Sequence, residues 1–348
     1  MSAKRAQSPT DKRRLRLLAL LADGRSHSGE VLAKRLRISR GGVWKLMQTL
    51  RELGIDVQSI ARQGYQLPRA VDLLEAKQIL AQTHAATRAR IDSLEVLLTV
   101  DSTNRYVSDL SEAPFERAQV CLTEVQTAGR GRRGRSWVAP FASGICLSVG
   151  WRFAEAPPTF SALSLAVGVA VVRAFARFGA QDVGLKWPND LMWQDRKLGG
   201  ILIEMRGESA GPAHVVIGIG VNMRMPAAVR LELAERQAVL IADIHEMLRD
   251  RTPTRNELAA AMIDELIAML QMFATSGFGA FVEEFRRLDI LQHADVKILN
   301  GPDTIFGIAR DVDEDGSLLV DVEGELKRFV SGEVSVRRSG RRIADSNR

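Results

Sequence analysis

The chain has 348 residues, 46% of them hydrophobic and 26% charged, with a formal net charge of +6. That length accommodates two or three domains of about 100–200 residues in an ordinary soluble globular composition. No apolar run approaches the ~18 residues of a membrane span, residues 1–14 lack the apolar core of a secretion signal, and the basic balance favours a polyanionic partner. A cytoplasmic protein with no membrane partner is therefore expected.

Residues 1–11 read as a disordered tail, and the pattern turns helical at Lys12. Leu15, Leu18 and Leu21 share one face and Gly24 supplies the stop. Ser28 can cap a second helix with Glu30 in its first turn and Leu32 and Leu36 inward. After a turn at 37–39, Ser39 can cap a third helix whose core side is Val43, Leu46, Met47 and Leu50, ending at Gly54. Two short helices joined by a tight turn fit a helix-turn-helix. The outer face offers Arg40, Lys45, Gln48 and Thr49, and Gly41 and Gly42 would let the helix approach DNA. Residues 56–67 read as two short strands around a turn at 62–64, a wing carrying Arg62, and Pro68 closes the unit. A small helical packing module is the alternative reading; the wing, the polar face and the basic tail favour DNA. The DNA contacts expected are Ser39, Arg40, Gly41, Gly42, Lys45, Gln48, Thr49 and Arg62.

Residues 71–90 read as a helical connector. A strand at 95–100 runs into Ser102, Thr103 and Asn104, placed either to bond a ligand or to cap a helix over 104–110. A second strand over 119–126 leads directly into residues 129–135, where four Arg and three Gly occupy seven positions. Glycines permit close backbone approach and a concave nest of N–H groups, and arginines add fixed charge, so this loop suits a multiply charged anion. A solvated basic loop is the alternative. Further strands are expected at 144–151, 183–186, 191–193, 197–204 and 215–222, with a long buried helix over 160–178. Gly199 and Gly200, and later Gly218 and Gly220, leave bare backbone in strands. Cys121 and Cys146 fall in apolar strand-like runs and read as small core residues in a reducing compartment, and the five His show no metal-ligand spacing. Strands joined as hairpins predict a mixed α+β sheet rather than a doubly wound one. Residues 229–240 read as a helix or a lid, and 254–288 as helical.

Beyond Leu288 the period shortens to strands at 296–299, 304–312, 317–322, 326–330 and 334–336, a small β-barrel, followed by a polar tail. Three domains are expected, at 12–69, 72–290 and 291–338.

Four segments now combine: QTAGRGRRGR at 126–135, KWPND at 186–190, DRKLGGIL at 195–202 and GIGVN at 218–222. In this order, behind a winged helix and ahead of a small β module, they resemble the bifunctional biotin protein ligases that also act as biotin operon repressors. The resemblance runs from about Leu15 to Arg338. It implies a winged helix-turn-helix, a central mixed-sheet domain of the biotin/lipoate ligase type and an SH3-like β-barrel. It implies that biotin and ATP form biotinyl-5′-AMP, that biotin passes to a lysine of a biotin carboxyl carrier protein, and that the adenylate, as corepressor, drives a homodimer onto operator DNA. It places biotin on Ser102, Thr103, Asn104, Gln126, Arg130, Gly131, Arg132, Lys197 and Gly200. It places ATP and the adenylate on Arg133, Arg135, Trp137, Lys186, Asn189, Asp190 and Asn222, with Mg2+ at Asp190. Arg130, Arg132 and Lys197 become the catalytic cations, and Gly332 and Glu333 match the family's C-terminal pair. Two positions depart from the pattern: Ser136 precedes the Trp where a basic residue is usual, and residues 223–240 carry no aromatic to cover the adenine, only aliphatics such as Val239 and Leu240. A ligand-sensing regulator without ligase activity and a lipoate-type ligase are the competing readings; the winged helix and the Arg-Gly loop favour biotin.

Overall fold

A computed structural model describes residues 9–110, 117–157, 159–206, 212–237, 239–300, 303–330 and 335–338. Helices α1 (Pro9–Leu21), α2 (Gly29–Leu36) and α3 (Arg40–Glu52) form the N-terminal unit with strands β1 (Gln58–Ile60) and β2 (Gly64–Gln66). Helix α1 begins at Pro9, so Pro9–Asp11, expected in a tail, are its first turn; Pro at the start of a helix forfeits only a donor that has no partner there. Ser28 and Ser39 cap α2 and α3 as expected, accepting from Val31 and Gly42. The wing is secured on both sides: His27 pairs with Tyr65, and Arg51 of α3 donates to the Val57 carbonyl and to Ser59. Leucines and Met47 close a small core beneath, and Leu98 and Phe141 of the next domain pack against it.

The connector is helical over only part of its length. Only α4 (Ala76–Gln82) and α5 (Ala85–Arg88) are helical, because residues 72–75 are held elsewhere, by side chains of the central domain. That domain comprises β3 (Ile91–Val100), α6 (Thr103–Leu110), β4 (Ala118–Gln126), β5 (Gly144–Phe153), α7 (Leu163–Ala176), β6 (Gly184–Lys186), β7 (Asp190–Trp193), β8 (Arg196–Arg206) and β9 (Ala213–Asn222). The strands make one sheet in the order β3-β4-β5-β9-β8-β7-β6. β3 and β4 are parallel, with α6 as their crossover, and every other pair is antiparallel, which gives the mixed sheet expected. Helices α8 (Ala227–Gln237), α9 (Ile244–Leu248), α10 (Arg255–Ser276) and α11 (Val282–Leu288) come next, so the 229–240 segment is largely helix. By length and composition Arg255–Ala280 could cross a membrane, with mean hydropathy 1.5, yet 67% of its apolar window is buried. It packs on α7 across the sheet, and Thr254 with Glu257 forms a capping box at its start.

Strands β10 (Asp295–Asn300), β11 (Asp303–Val312), β12 (Leu318–Val322), β13 (Glu325–Phe329) and β14 (Ser335–Arg338) form a separate antiparallel sheet in the order β13-β12-β11-β10-β14. Its buried face continues the central core through Val296, Ile298, Val320 and Phe329. Trp187 anchors it by donating to the Gly316 carbonyl at 3.0 Å. Gly332 and Glu333 lie outside the described residues.

Candidate active site and DNA-facing surface

The carboxyl ends of β3 and β4 come side by side, and the segments leaving these two strands form one side of a cavity of about 740 Å³. After β3, Ser102, Thr103 and Asn104 open α6 and are all buried. They do more than cap. Gln126 Oε1, at the end of β4, accepts from Thr103 N at 2.9 Å and from its hydroxyl at 3.2 Å. Ser148 donates to Thr103 Oγ1 or to Asn104 Oδ1, both at 2.7 Å. Asn104 Nδ2 donates to the Leu202 carbonyl and to Glu204. Ser148 and Glu204 sit in β5 and β8, outside the sequence motifs; a hydroxyl within the apolar run 145–149 of β5 is the signal the sequence offers for Ser148.

After β4 comes the Arg-Gly loop, which folds back on itself. Gly131 N donates to the Arg135 carbonyl at 2.7 Å and Trp137 N to Gly129 O at 2.9 Å. Arg133 takes left-handed backbone at φ 56°, within a single 3-10 turn over Arg132–Gly134. Three loop arginines reach in three directions. Arg130 pairs with Glu204 at 3.0 Å, Arg132 donates to Asn189 Oδ1 at 3.4 Å, and Arg133 donates to the Leu299 carbonyl of β10 at 3.5 Å. Trp137 lies over Gly220, where any Cβ would collide with the indole, and Lys197 Nζ stands 5.9 Å from the same ring. Gly218 does the same for Asn104: a Cβ there would occupy the position of Oδ1. The bare backbone of β9 is thus the floor of the cavity.

The far wall is cationic. Lys197 Nζ pairs with Asp190 at 2.6 Å. Burial above all holds the Lys186 ammonium below its ordinary value; Asp190 opposes this, while Lys197, Arg337 and Arg135 reinforce it. Burial lowers Arg132 too, although a guanidinium stays charged. Asn222, expected on the adenine, donates to the carbonyls of Lys197 and Ala242, so its amide ties β9 to β8 and to the segment after α8 while lining the cavity. Leu233, Val239 and Leu240 line one rim and Val336 and Arg337 of β14 another. Cys146 also lines the cavity, with its thiol pushed up to about 12 by burial; Cys121 is buried, as expected. Every residue expected to touch biotin, ATP or the adenylate, from Ser102 to Asn222, lines this one cavity.

Among the described residues no group of three or more His, Cys, Asp or Glu could hold a metal. Mg2+ typically takes one or two carboxylates and completes its shell with water and substrate phosphates. Asp190, a carboxylate on the wall shared with Lys186 and Lys197, fits an ion of that kind arriving with a nucleotide.

On the N-terminal unit, Arg40, Gly41, Lys45 and Arg62 are exposed, and Gly42 and Gln48 half-buried. Ser39 spends its hydroxyl on the cap. Thr49, expected on the outer face, instead faces α1: its hydroxyl donates to the Leu46 carbonyl and accepts from Arg14 Nε.

Comparison with known proteins places this geometry. Residues 96–222 match the biotin/lipoate A/B protein ligase family, residues 13–66 a helix-turn-helix domain and residues 295–337 the biotin protein ligase C-terminal domain. The biotin protein ligase of Aquifex aeolicus, solved in complex with biotin and ATP, superposes with a TM-score of 0.59 at 26% identity, covering 71% of this chain and all of that one. The catalytic sheet and its cavity are therefore those of a biotin/lipoate-type protein ligase. The bifunctional ligase/repressor BirA of Escherichia coli (strain K12) is 40% identical over 323 residues, 93% of this chain and 97% of that protein. The Salmonella typhimurium protein of the same name is 39% identical over the same span. The chain belongs to the family of bifunctional biotin ligase/repressors.

Proposed function

We propose that the protein activates biotin with ATP to biotinyl-5′-AMP, transfers biotin to a lysine of a biotin carboxyl carrier protein, and, as an adenylate-bound homodimer, represses transcription from operator DNA. The observation that carries the ligase reading is the meeting of two unlike walls in one cavity: a neutral hydrogen-bonding end at Ser102–Asn104 and Gln126, and a cationic end at Arg132, Lys186 and Lys197. Biotin has a polar ureido head and a carboxylate tail, and ATP brings the phosphates.

In the first step a biotin carboxylate oxygen attacks the α-phosphate, the bond to the leaving pyrophosphate breaks, and a mixed anhydride forms. Both reactants are anions, so the barrier is largely repulsion and positioning. Fixed cations aimed at the reacting phosphate lower it, and Arg130, Arg132 and Lys197 are proposed for that role. Mg2+ held by Asp190 would neutralise phosphate charge. Ser102, Thr103, Asn104, Gln126, Gly131 and Gly200 are assigned to biotin, and Arg133, Arg135, Trp137, Lys186, Asn189 and Asn222 to the nucleotide. In the second step the lysine amine of the carrier attacks the carbonyl carbon and AMP departs. The Arg-Gly loop closes over the anhydride and keeps water from it. Residues 12–69 read DNA, 72–290 carry the chemistry and 291–338 complete the nucleotide side, which the reach of Val336 and Arg337 into the cavity supports. Loop closure that also stabilises a dimer surface would link adenylate occupancy to repression.

Incubation of the protein with ATP, Mg2+, labelled biotin and a carrier fragment tests the ligase. Label should appear on the carrier lysine, and lipoate should not compete. Absence of transfer at saturating biotin and ATP sinks the reading, and equal use of lipoate reassigns the substrate.

A further inference from the structure

Trp44 is the one large apolar side chain on the outer face of α3, and it is 53% exposed. The apolar cluster beneath is built without it, using Val43, Leu46, Met47 and Leu50 of the same helix. Single exposed hydrophobics are common, so exposure alone decides nothing. Position does. Trp44 stands one turn after Arg40 and one turn before Gln48, next in sequence to Lys45; Arg40 and Lys45 are both exposed, as are Arg37 just before the helix and Arg62 at the turn of the wing. At Gly41 an added Cβ would meet only Ser39 Oγ, at 3.9 Å, so this end of the helix is low and open. The charge of the face suits a polyanionic duplex. In the major groove of such a duplex the one apolar feature on a base edge is the thymine C5-methyl.

We infer that Trp44 is a specificity-determining residue that packs on a thymine methyl in the major groove, so that the recognised duplex requires a thymine at the position it faces. The inference rests on the DNA-binding part of the proposed function and adds what α3 reads.

The full-length protein, with biotin, ATP and Mg2+, is used to select duplexes from a randomised library. Each thymine of the selected duplex is then replaced singly by deoxyuridine, which removes only the methyl. One such replacement per half-site should weaken wild-type binding about fourfold, the weight of one buried methyl. The same replacement should leave binding by the Trp44→Ala protein unchanged. Trp44→Phe keeps an apolar ring without the indole N–H and should retain the sensitivity. Loss of sensitivity in Trp44→Phe as complete as in Trp44→Ala would mean that the indole N–H makes the contact, and the inference falls. Wild-type protein indifferent to every replacement overturns the inference alone, with DNA binding intact. Failure to enrich any duplex overturns the DNA-binding reading and the inference together.

Discussion

Asn104 occupies the space that a side chain at Gly218 would fill, and Trp137 covers the bare backbone at Gly220. Overpacking a rigid site costs about 1–3 kcal/mol. Gly218→Ala should therefore raise the dissociation constant for biotin by about tenfold or more, and Gly220→Ala should do the same for ATP, both read by isothermal titration. Equal losses for both ligands in both variants would contradict the division of the cavity into two ends. Lys186 offers a test of opposite sign. Its pKa is lower in the folded chain than in the unfolded one, so between the two values the unfolded chain binds the extra proton and stability rises with pH. The penalty vanishes above the unfolded value and is felt in full below the folded one. Lys186→Met should leave the melting temperature of the ligand-free protein unchanged or higher while weakening ATP binding at least tenfold; a lower melting temperature with ATP binding intact would refute the assignment. Much of the site was legible at this scale because Arg, Lys and Gly clusters have few structural reasons to exist inside a domain. Ser148 and Glu204 were not, since their partners Asn104 and Arg130 lie 44 and 74 residues away.

Among the elements, the start of α10 is the most heavily bonded. Arg255 pairs with Glu124 of β4 at 2.9 Å, with the two side chains 4% and 0% exposed. It also donates to the carbonyls of Gly144, where β5 begins, and Asp72 in the connector, and Glu124 in turn accepts from Leu74 N. Removing one partner of a buried ion pair strands the other charge, at about 3–5 kcal/mol. Arg255→Ala should lower the unfolding free energy by about that amount in a urea titration, and a loss under 1 kcal/mol would show that water enters and solvates Glu124. The same hub is why the 71–90 stretch departs from its helical composition. Its first residues are drawn out straight by Glu124, Arg255 and Asn256, none of which is near in sequence. Helix periodicity is local and was recovered for α2, α3, α7 and α10; capture by a distant side chain is invisible to it.

At the scale of the molecule, the order of three units was legible because the hydrophobic period changes at each border. The way they touch was not. Leu98 and Phe141 lie in the central domain, yet pack into the core of the winged helix, and Arg69 donates to the Ala142 carbonyl. A protein lacking residues 1–70 keeps every cavity residue, the first being Ser102. It should retain adenylate synthesis by pyrophosphate exchange and lose DNA binding, while the uncovered Leu98 and Phe141 lower its melting temperature and promote association. Full thermal stability after truncation would mean that the contact between the units contributes nothing.

The way the Arg-Gly loop is fastened should be visible on the timescale of amide hydrogen exchange. One root, at Glu124, and the other, at Gly144, are both bound to Arg255, whereas the backbone hydrogen bonds of residues 130–136, Gly131 N to Arg135 O and Arg135 N to Arg132 O, stay within the loop. Protection should therefore change abruptly along one continuous segment: amides of β4 and β5 exchanging only through large-scale opening, those of 130–136 through local fluctuation, with the boundary falling between Trp137 and Phe141. Biotin and ATP together should move that boundary inward until the loop exchanges as slowly as its roots, and should leave the wing at 58–66 unaffected unless closure reaches the winged helix through Phe141.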